Sequence, residues 1–412
     1  MTLINCAMII ATIFSLKSTL DEARLSPRYF TRRRKMSFDV LLEYLLRGRK
    51  CSTQISLNKF FKEKGDEEHM SQQALSKARS HFDHTPFSKA FYAVVDAEYN
   101  YHTDSKLKRF KGYKILAVDG SVIPLPNLPD LAKVYGEYKG SPSARASIAL
   151  DVLNDRIVEA EFESLKIDER TLAIRHIDKL GRKVNFEDTL FVFDRGYPSE
   201  ELIEHILSKK AHFLMRVRRK FNLRIDEAPM GSSIVEYASG LYVRVIKFVL
   251  STGEIEQLIT DLADVAEADF KELYFLRWPV ETKYDIVKNK VEMSNFTGYS
   301  SNVILQDFWI GLLLANVASI AKAESDQGIH NSCTSAQNKH EYQTNISVTI
   351  SSVRERFAEA VFCKNPIIRN IRIAKIIKEI SASIVPKRPD RKVPRTQSRK
   401  TRYHHNKKYN AG

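Results

Sequence analysis

The sequence predicts an α/β chain: a central sheet crossed by helices, with helical regions before and after it. Three observations carry this. Strand-type apolar runs are confined to residues 113–262, helical periodicity fills Ser37 to Tyr101 and Ser351 to Ser383, and the first central elements read strand, strand, strand, helix, strand, helix, strand.

Before the sheet, Phe38, Leu41, Leu42 and Leu45 form one apolar helical stripe and Leu57, Phe60 and Phe61 another. The apolar run Leu3 to Leu16 is 14 residues long with no basic residue before it, too short for a membrane span, and reads as a packing helix. Ser71 is placed to cap a short helix whose Gln residues, Lys77 and Arg79 are expected outside, where they can face DNA. His69, His81 and His84 near Cys51 have no metal-site spacing.

Within the centre, Tyr113 to Val118 is a β-rich run ending on Asp119-Gly120, before a turn through Pro124, Pro126 and Pro129. Ala146 to Val152 and Ile157 to Phe162 continue as a meander, and Asp168 to Leu180 is an amphipathic helix. Leu190 to Phe193 is a short buried strand delivering Asp194, after which Gly196 permits a turn and Pro198-Ser199 starts a helix through Lys209. This is the order of an RNase H-like core, in which the first and fourth strands are neighbours. A fifth strand at His212 to Val217 is followed by a hairpin from Val243 to Leu262. Ile304 to Ile320 is apolar all round and reads as a core helix, and Glu324 to Thr349 is polar and irregular.

The chain has 412 residues, 43% hydrophobic and 28% charged, which excludes a disordered protein. Its 65 Lys and Arg against 50 Asp and Glu give +15, pointing to a polyanionic partner. Pro386 to Gly412 holds ten Lys or Arg and one acid, so nine of those fifteen charges lie in a proline-broken tail that fits either a solvated end or an arm on phosphates. Cys6, Cys51, Cys333 and Cys363 are scattered, which argues against zinc or disulfides and fits a reducing cytoplasm.

Chemistry concentrates in Tyr274 to Lys288, where Tyr274, Arg277, Glu281 and Lys288 return to one helical face, interrupted by Pro279, which should kink or restart the helix. Alone, this reads as a surface helix with an Arg–Glu pair. With Ala-Val-Asp119-Gly-Ser and Phe-Val-Phe-Asp194-Arg-Gly-Tyr upstream, it resembles the Y-x2-R-x3-E-x6-K signature of bacterial cut-and-paste DDE transposases, the insertion-sequence-four family, over about Lys111 to Ile320.

The resemblance implies an RNase H-like catalytic domain over 106–325 with a β-rich insertion at about 218–263. Around it stand a helical, DNA-binding region at 1–105, helices at 326–384 and a basic tail at 385–412. It implies Asp119, Asp194 and Glu281 as catalytic ligands of two Mg²⁺ ions, with Mn²⁺ able to substitute. Hard oxygen donors suit such ions, and two of them about 4 Å apart neutralise attacking and leaving oxygens. Tyr274, Arg277, Lys288, Arg195 and Tyr197 become DNA contacts, though an acid-paired Arg195 and a core-packed Tyr197 fit equally well. Trp278 reads as core beside Phe275, with base stacking as the other option. The expected partners are double-stranded DNA, both element ends and target, and a second copy in a DNA-assembled homodimer, with no membrane and no small-molecule substrate, in a bacterial cytoplasm near the nucleoid. The rival readings are a silent DNA-binding descendant and an RNase H-like nuclease without strand transfer. Intact Asp119, Asp194 and Glu281 argue against the first, and Tyr274, Arg277 and Lys288 against the second.

Overall fold

A computed structural model describes the chain except residues 33, 49–51, 66–69, 100–105, 182, 251, 291–295, 334–340 and 388–412. His69, Cys51 and nearly all of the basic tail therefore lie outside the described residues. Contacts divide the chain into two compact units, one of residues 1–91 with the described residues from Leu313 on, the other of Tyr92–Leu312. The N-terminal and C-terminal helices, read from sequence as separate regions, thus share one unit.

The helical unit begins with α1 (Leu3–Ser15), α2 (Lys17–Ala23), α3 (Phe38–Leu46), α4 (Thr53–Glu63), α5 (Gln72–Arg79) and the first half of α6 (Thr85–Glu98). Leu3, Cys6, Ala7, Ile10 and Phe14 of α1 are buried along one face, as a packing helix requires. Ser71 caps α5 by accepting from the Ala74 N–H at 3.2 Å. Gln72, Gln73 and Lys77 face outward, but Arg79 is buried, so the expectation that it faces DNA is corrected. Its position four residues beyond buried Leu75 puts it on the inner face.

The sheet unit starts with β1 (Lys114–Pro124), α7 (Pro129–Tyr135), β2 (Glu137–Tyr138), β3 (Ser141–Asp151), β4 (Arg156–Ser164) and α8 (Glu169–Leu180). It continues through β5 (Thr189–Phe193), α9 (Glu200–Ser208), β6 (His212–Arg216), α10 (Leu223–Glu227), β7 (Gly231–Ala238), β8 (Leu241–Val249) and β9 (Ile255–Thr260). It ends with α11 (Asp269–Phe275), α12 (Trp278–Asp285) and the start of α13 (Ser301–Cys333). The nine strands form one sheet in the order β2-β3-β1-β5-β6-β9-β8-β7, with β4 on β3. β5 is parallel to both β1 and β6 and buried along its whole length, which is why Leu190–Phe193 is a continuous apolar run.

Three expectations change. β1 does not stop at Asp119 but runs to Pro124, because β3 pairs with it as far as Ser143. The β-rich insertion extends the core sheet through β6–β9 pairing and contains a strand, β7, not read from sequence. α13 continues to Cys333, well into the stretch read as irregular. Its window of membrane-like hydropathy is 89% buried, as a core helix is. In the helical unit β10 (Tyr342–Thr344), α14 (Ile346–Val361), α15 (Pro366–Ser381) and β11 (Ile384–Pro386) follow among the described residues.

His176 of α8 is fully buried, its Nε2 2.8 Å from Ser147 Oγ, and burial pushes its pKa down to about 3. Between that value and 6.5 the unfolded chain binds a proton that the folded chain refuses, so stability falls as pH drops through 6.5. The loss attributable to this residue should be on the order of 2 kcal/mol by pH 4.5. Urea unfolding of the parent and His176→Gln should therefore converge between pH 7.5 and 4.5; a constant gap would remove the assignment.

Candidate active site at the end of strand β5

β1 and β5 pair in parallel from Lys114↔Thr189 to Ala117↔Val192, an offset of 75 residues. Carried two residues further, that offset sets Asp119 level with Asp194, just past the end of β5. Asp119 remains in β1, opposite Ile148, and its Oδ1 accepts from the Gly120 N–H at 2.9 Å. Asp194 heads a turn that folds back so that the Gly196 N–H donates to its Oδ1 at 2.7 Å. From α12, the Tyr284 hydroxyl meets the main-chain oxygens of Asp119 and Ala146 at 2.8 and 3.0 Å, pinning the helix over this point. Burial and the neighbouring Asp194 push the Asp119 carboxyl up to about 7, against the pull of Arg277 and the Gly120 N–H.

Pro279 restarts the helix as expected, standing in the first turn of α12, with a π-helical turn at Ile286–Lys290 beyond it. π-turns allow a residue to be re-aimed without ending the helix. Lys288, on that turn, is half-buried and donates from Nζ to Ser121 Oγ, two residues from Asp119, whose charge acts on it. Arg277 Nη2 binds Glu281 Oε1 at 2.6 Å, and its guanidinium is also within the field of Asp119. Arg195 is exposed beside Asp194.

Three aromatic side chains are placed by the fold. Tyr274 is 9% exposed and packed in the cluster of Leu190, Val192, Leu273 and their neighbours, with the Arg277 guanidinium 6.0 Å from its ring centre, so its ring serves the core. Tyr197 is 1% exposed and packs on Phe193, so it is the core-packed tyrosine and has no surface for DNA. Trp278, expected in the core beside Phe275, is 47% exposed and Phe275 54%, because the helix break at Arg277 turns both rings outward.

Residues 110–317 match the family described as Transposase DDE domain. The chain belongs to that family. It is 23% identical over 241 residues to Transposase InsG for insertion sequence element IS4 of Escherichia coli (strain K12), a relative of the kind the signature resembles. That match spans 52% of this chain and 53% of the relative, so the chain spans about half the length of the relative it matches. The cryo-EM structure of a piggyBac transposase synaptic complex with hairpin DNA aligns with a TM-score of 0.49 at 12% identity, over 90% of this chain and 85% of that one.

A divalent ion suits this DDE domain on its own residues. The available donors are carboxylate oxygens, the preference of Mg²⁺, and the Asp119–Asp194 repulsion is what a cation relieves. The three expected ligands are not drawn together, however. Among the described residues no three Asp, Glu, His or Cys side chains are close enough to hold one ion, and Glu281 is bonded to Arg277 instead.

The DDE domain should therefore be under electrostatic load when metal-free. An acid whose folded pKa is raised loses stability as pH rises from its unfolded 3.8 through the folded value of about 7. Asp119→Asn removes that loss, and chemical unfolding at pH 8 in EDTA should show the variant more stable by on the order of 2 kcal/mol. Added Mg²⁺ should stabilise the parent and not the variant. Equal stability in EDTA would show that Asp119 is not held against its charge.

Sequence reasoning missed Ser121 as the seat of Lys288, Tyr284 as the anchor of Asp119, and Glu169, which faces the Asp119–Asp194 pair from α8. A serine two places after an aspartate is too common to signal this. Only the fold brings α8 and α12 to β1.

Proposed function

We propose that the chain is a cut-and-paste DNA transposase on an RNase H-like core. It binds the inverted ends of its own element as double-stranded DNA, cleaves them, and joins the freed 3′-hydroxyls to target DNA. It works in the bacterial cytoplasm as a homodimer assembled on DNA. The strand order, with β5 parallel to β1 and β3 antiparallel on its other side, supports the core assignment.

The observation that carries the reading is the convergence on one point of β1. The register sets Asp194 level with Asp119, α12 is pinned there by Tyr284, and Lys288 reaches Ser121. Asp119, Asp194 and Glu281 would hold two Mg²⁺ ions, which supply Lewis-acid charge to the attacking and leaving oxygens when bound. Around them the chain's own groups orient the substrate. Lys288 offers a point charge beside Asp119, exposed Arg195 one beside Asp194, and both meet phosphates without reading sequence. Arg277 pairs with Glu281 at 2.6 Å and would fork onto a phosphate if Glu281 held a metal.

The test is direct. Purified protein is incubated with DNA carrying the sequences that flank its reading frame, with a labelled target plasmid and Mg²⁺. Cleavage at the element boundary followed by joining of 3′-ends to the target is expected. Specific binding to those ends with neither reaction would contradict the proposal.

A further inference from the structure

Glu169 enters from the first turn of α8, a position that no motif assigns. Asp168 caps that helix, its Oδ1 accepting from the Arg170 and Thr171 N–H groups at 2.9 and 3.1 Å, which fixes where the Glu169 side chain leaves. The side chain crosses to β1. A Cβ added at Gly120 would lie 2.8 Å from Glu169 Oε1 and 2.9 Å from Cδ, although the Gly120 backbone has an ordinary φ. A side chain at position 120 would displace the Glu169 carboxylate, so the glycine after Asp119 gives it room rather than serving a turn.

One ion pair holds Glu169 at the centre, and its neighbours lead to the same point. Arg145 Nη1, from β3 opposite Val122, holds Oε1 at 2.9 Å. Arg170 Nε donates to the Gly196 main-chain oxygen at 3.2 Å, tying the same helical turn to the loop whose N–H holds Asp194. The Tyr197 hydroxyl lies in the field of Asp119, Glu169 and Asp194 alike, 1% exposed and without a hydrogen-bond partner.

We propose that Glu169 is a positioning residue of the metal centre. Its carboxylate accepts hydrogen bonds from the water shell of the ion held by Asp119 and Asp194, without ligating that ion. Glu169 is already paired with Arg145 and lies against Gly120 beside Asp119, while Mg²⁺ and Mn²⁺ retain waters that a nearby carboxylate can orient. The inference rests on the metal-centre reading given under Proposed function.

The test is Mn²⁺ binding to the metal-free full chain, followed through the paramagnetic resonance of free Mn²⁺, with a thermal melt of each variant. Glu169→Gln should weaken Mn²⁺ binding about tenfold, the scale of a lost outer partner, and Glu169→Asp should be intermediate. Arg145→Gln, which removes the ion pair but leaves the carboxylate, should bind as tightly as the parent or more so. Asp119→Asn should lose binding. If Glu169→Gln binds like the parent while Asp119→Asn has lost the ion, the role of Glu169 is overturned and the metal centre stands. If Asp119→Asn also binds like the parent, the metal-centre reading itself is overturned. Equal weakening by Arg145→Gln and Glu169→Gln would reduce Glu169 to half of an ion pair. Where Glu169→Gln melts below the assay temperature, Glu169→Asp carries the test, and parental affinity there overturns the proposal.

Discussion

Asp194→Asn and Glu281→Gln are each expected to lower end cleavage by about a thousandfold, near 4 kcal/mol of transition-state stabilisation, while leaving DNA affinity within about twofold. The expectation separates chemistry from folding because neither change removes a structural support. Asn keeps an oxygen for the Gly196 N–H that now donates to Asp194. Glu281 has a side chain 42% exposed, and Gln keeps an oxygen that can accept from Arg277, whose side chain is 11% exposed. Cleavage and gel-shift affinity measured on the same preparations decide it. A Glu281→Gln protein that cuts like the parent would show that the contact to Arg277 is that residue's whole role.

Lys288→Ala is expected to cost about tenfold or more in joining of pre-cut ends, about 1.4 kcal/mol, and to lower the salt slope of DNA binding by about one. The bond to Ser121 offers a competing explanation, that Lys288 only ties the π-turn to β1. Ser121→Ala separates the two. It removes the same bond and leaves the cation, so it should keep most of the joining activity if the charge meets phosphate. Matching losses in both variants, with unchanged salt slopes, would make Lys288 a structural strut.

The parts legible in the sequence are those where local pattern and tertiary position agree. The apolar Leu190–Phe193 reads as a short buried strand, and the aspartate after it emerges at the end of β5. Pro279 removes a backbone donor inside the signature, and the helix restarts there. What stayed hidden was decided by packing. Tyr274 and Tyr197 each carry an apolar ring and a polar tip, and a motif cannot say which one prevails; here the rings are buried. β7 escaped notice because Ile234 is 77% exposed and the strand has no continuous apolar face to read. The end of β1 was misplaced because its partner, not its own prolines, sets its length. Glu169 was invisible because only the α8 crossover brings it to Gly120.

That Asp119 holds a divalent ion is tested most directly by exchanging its hard oxygen for a soft sulfur. Asp119→Cys should be inactive with Mg²⁺, which binds thiolate poorly, and should regain a measurable part of parental end cleavage with Mn²⁺, which tolerates it. A folded Asp119→Cys protein equally inactive with both ions, or as active as the parent with Mg²⁺, would contradict the assignment.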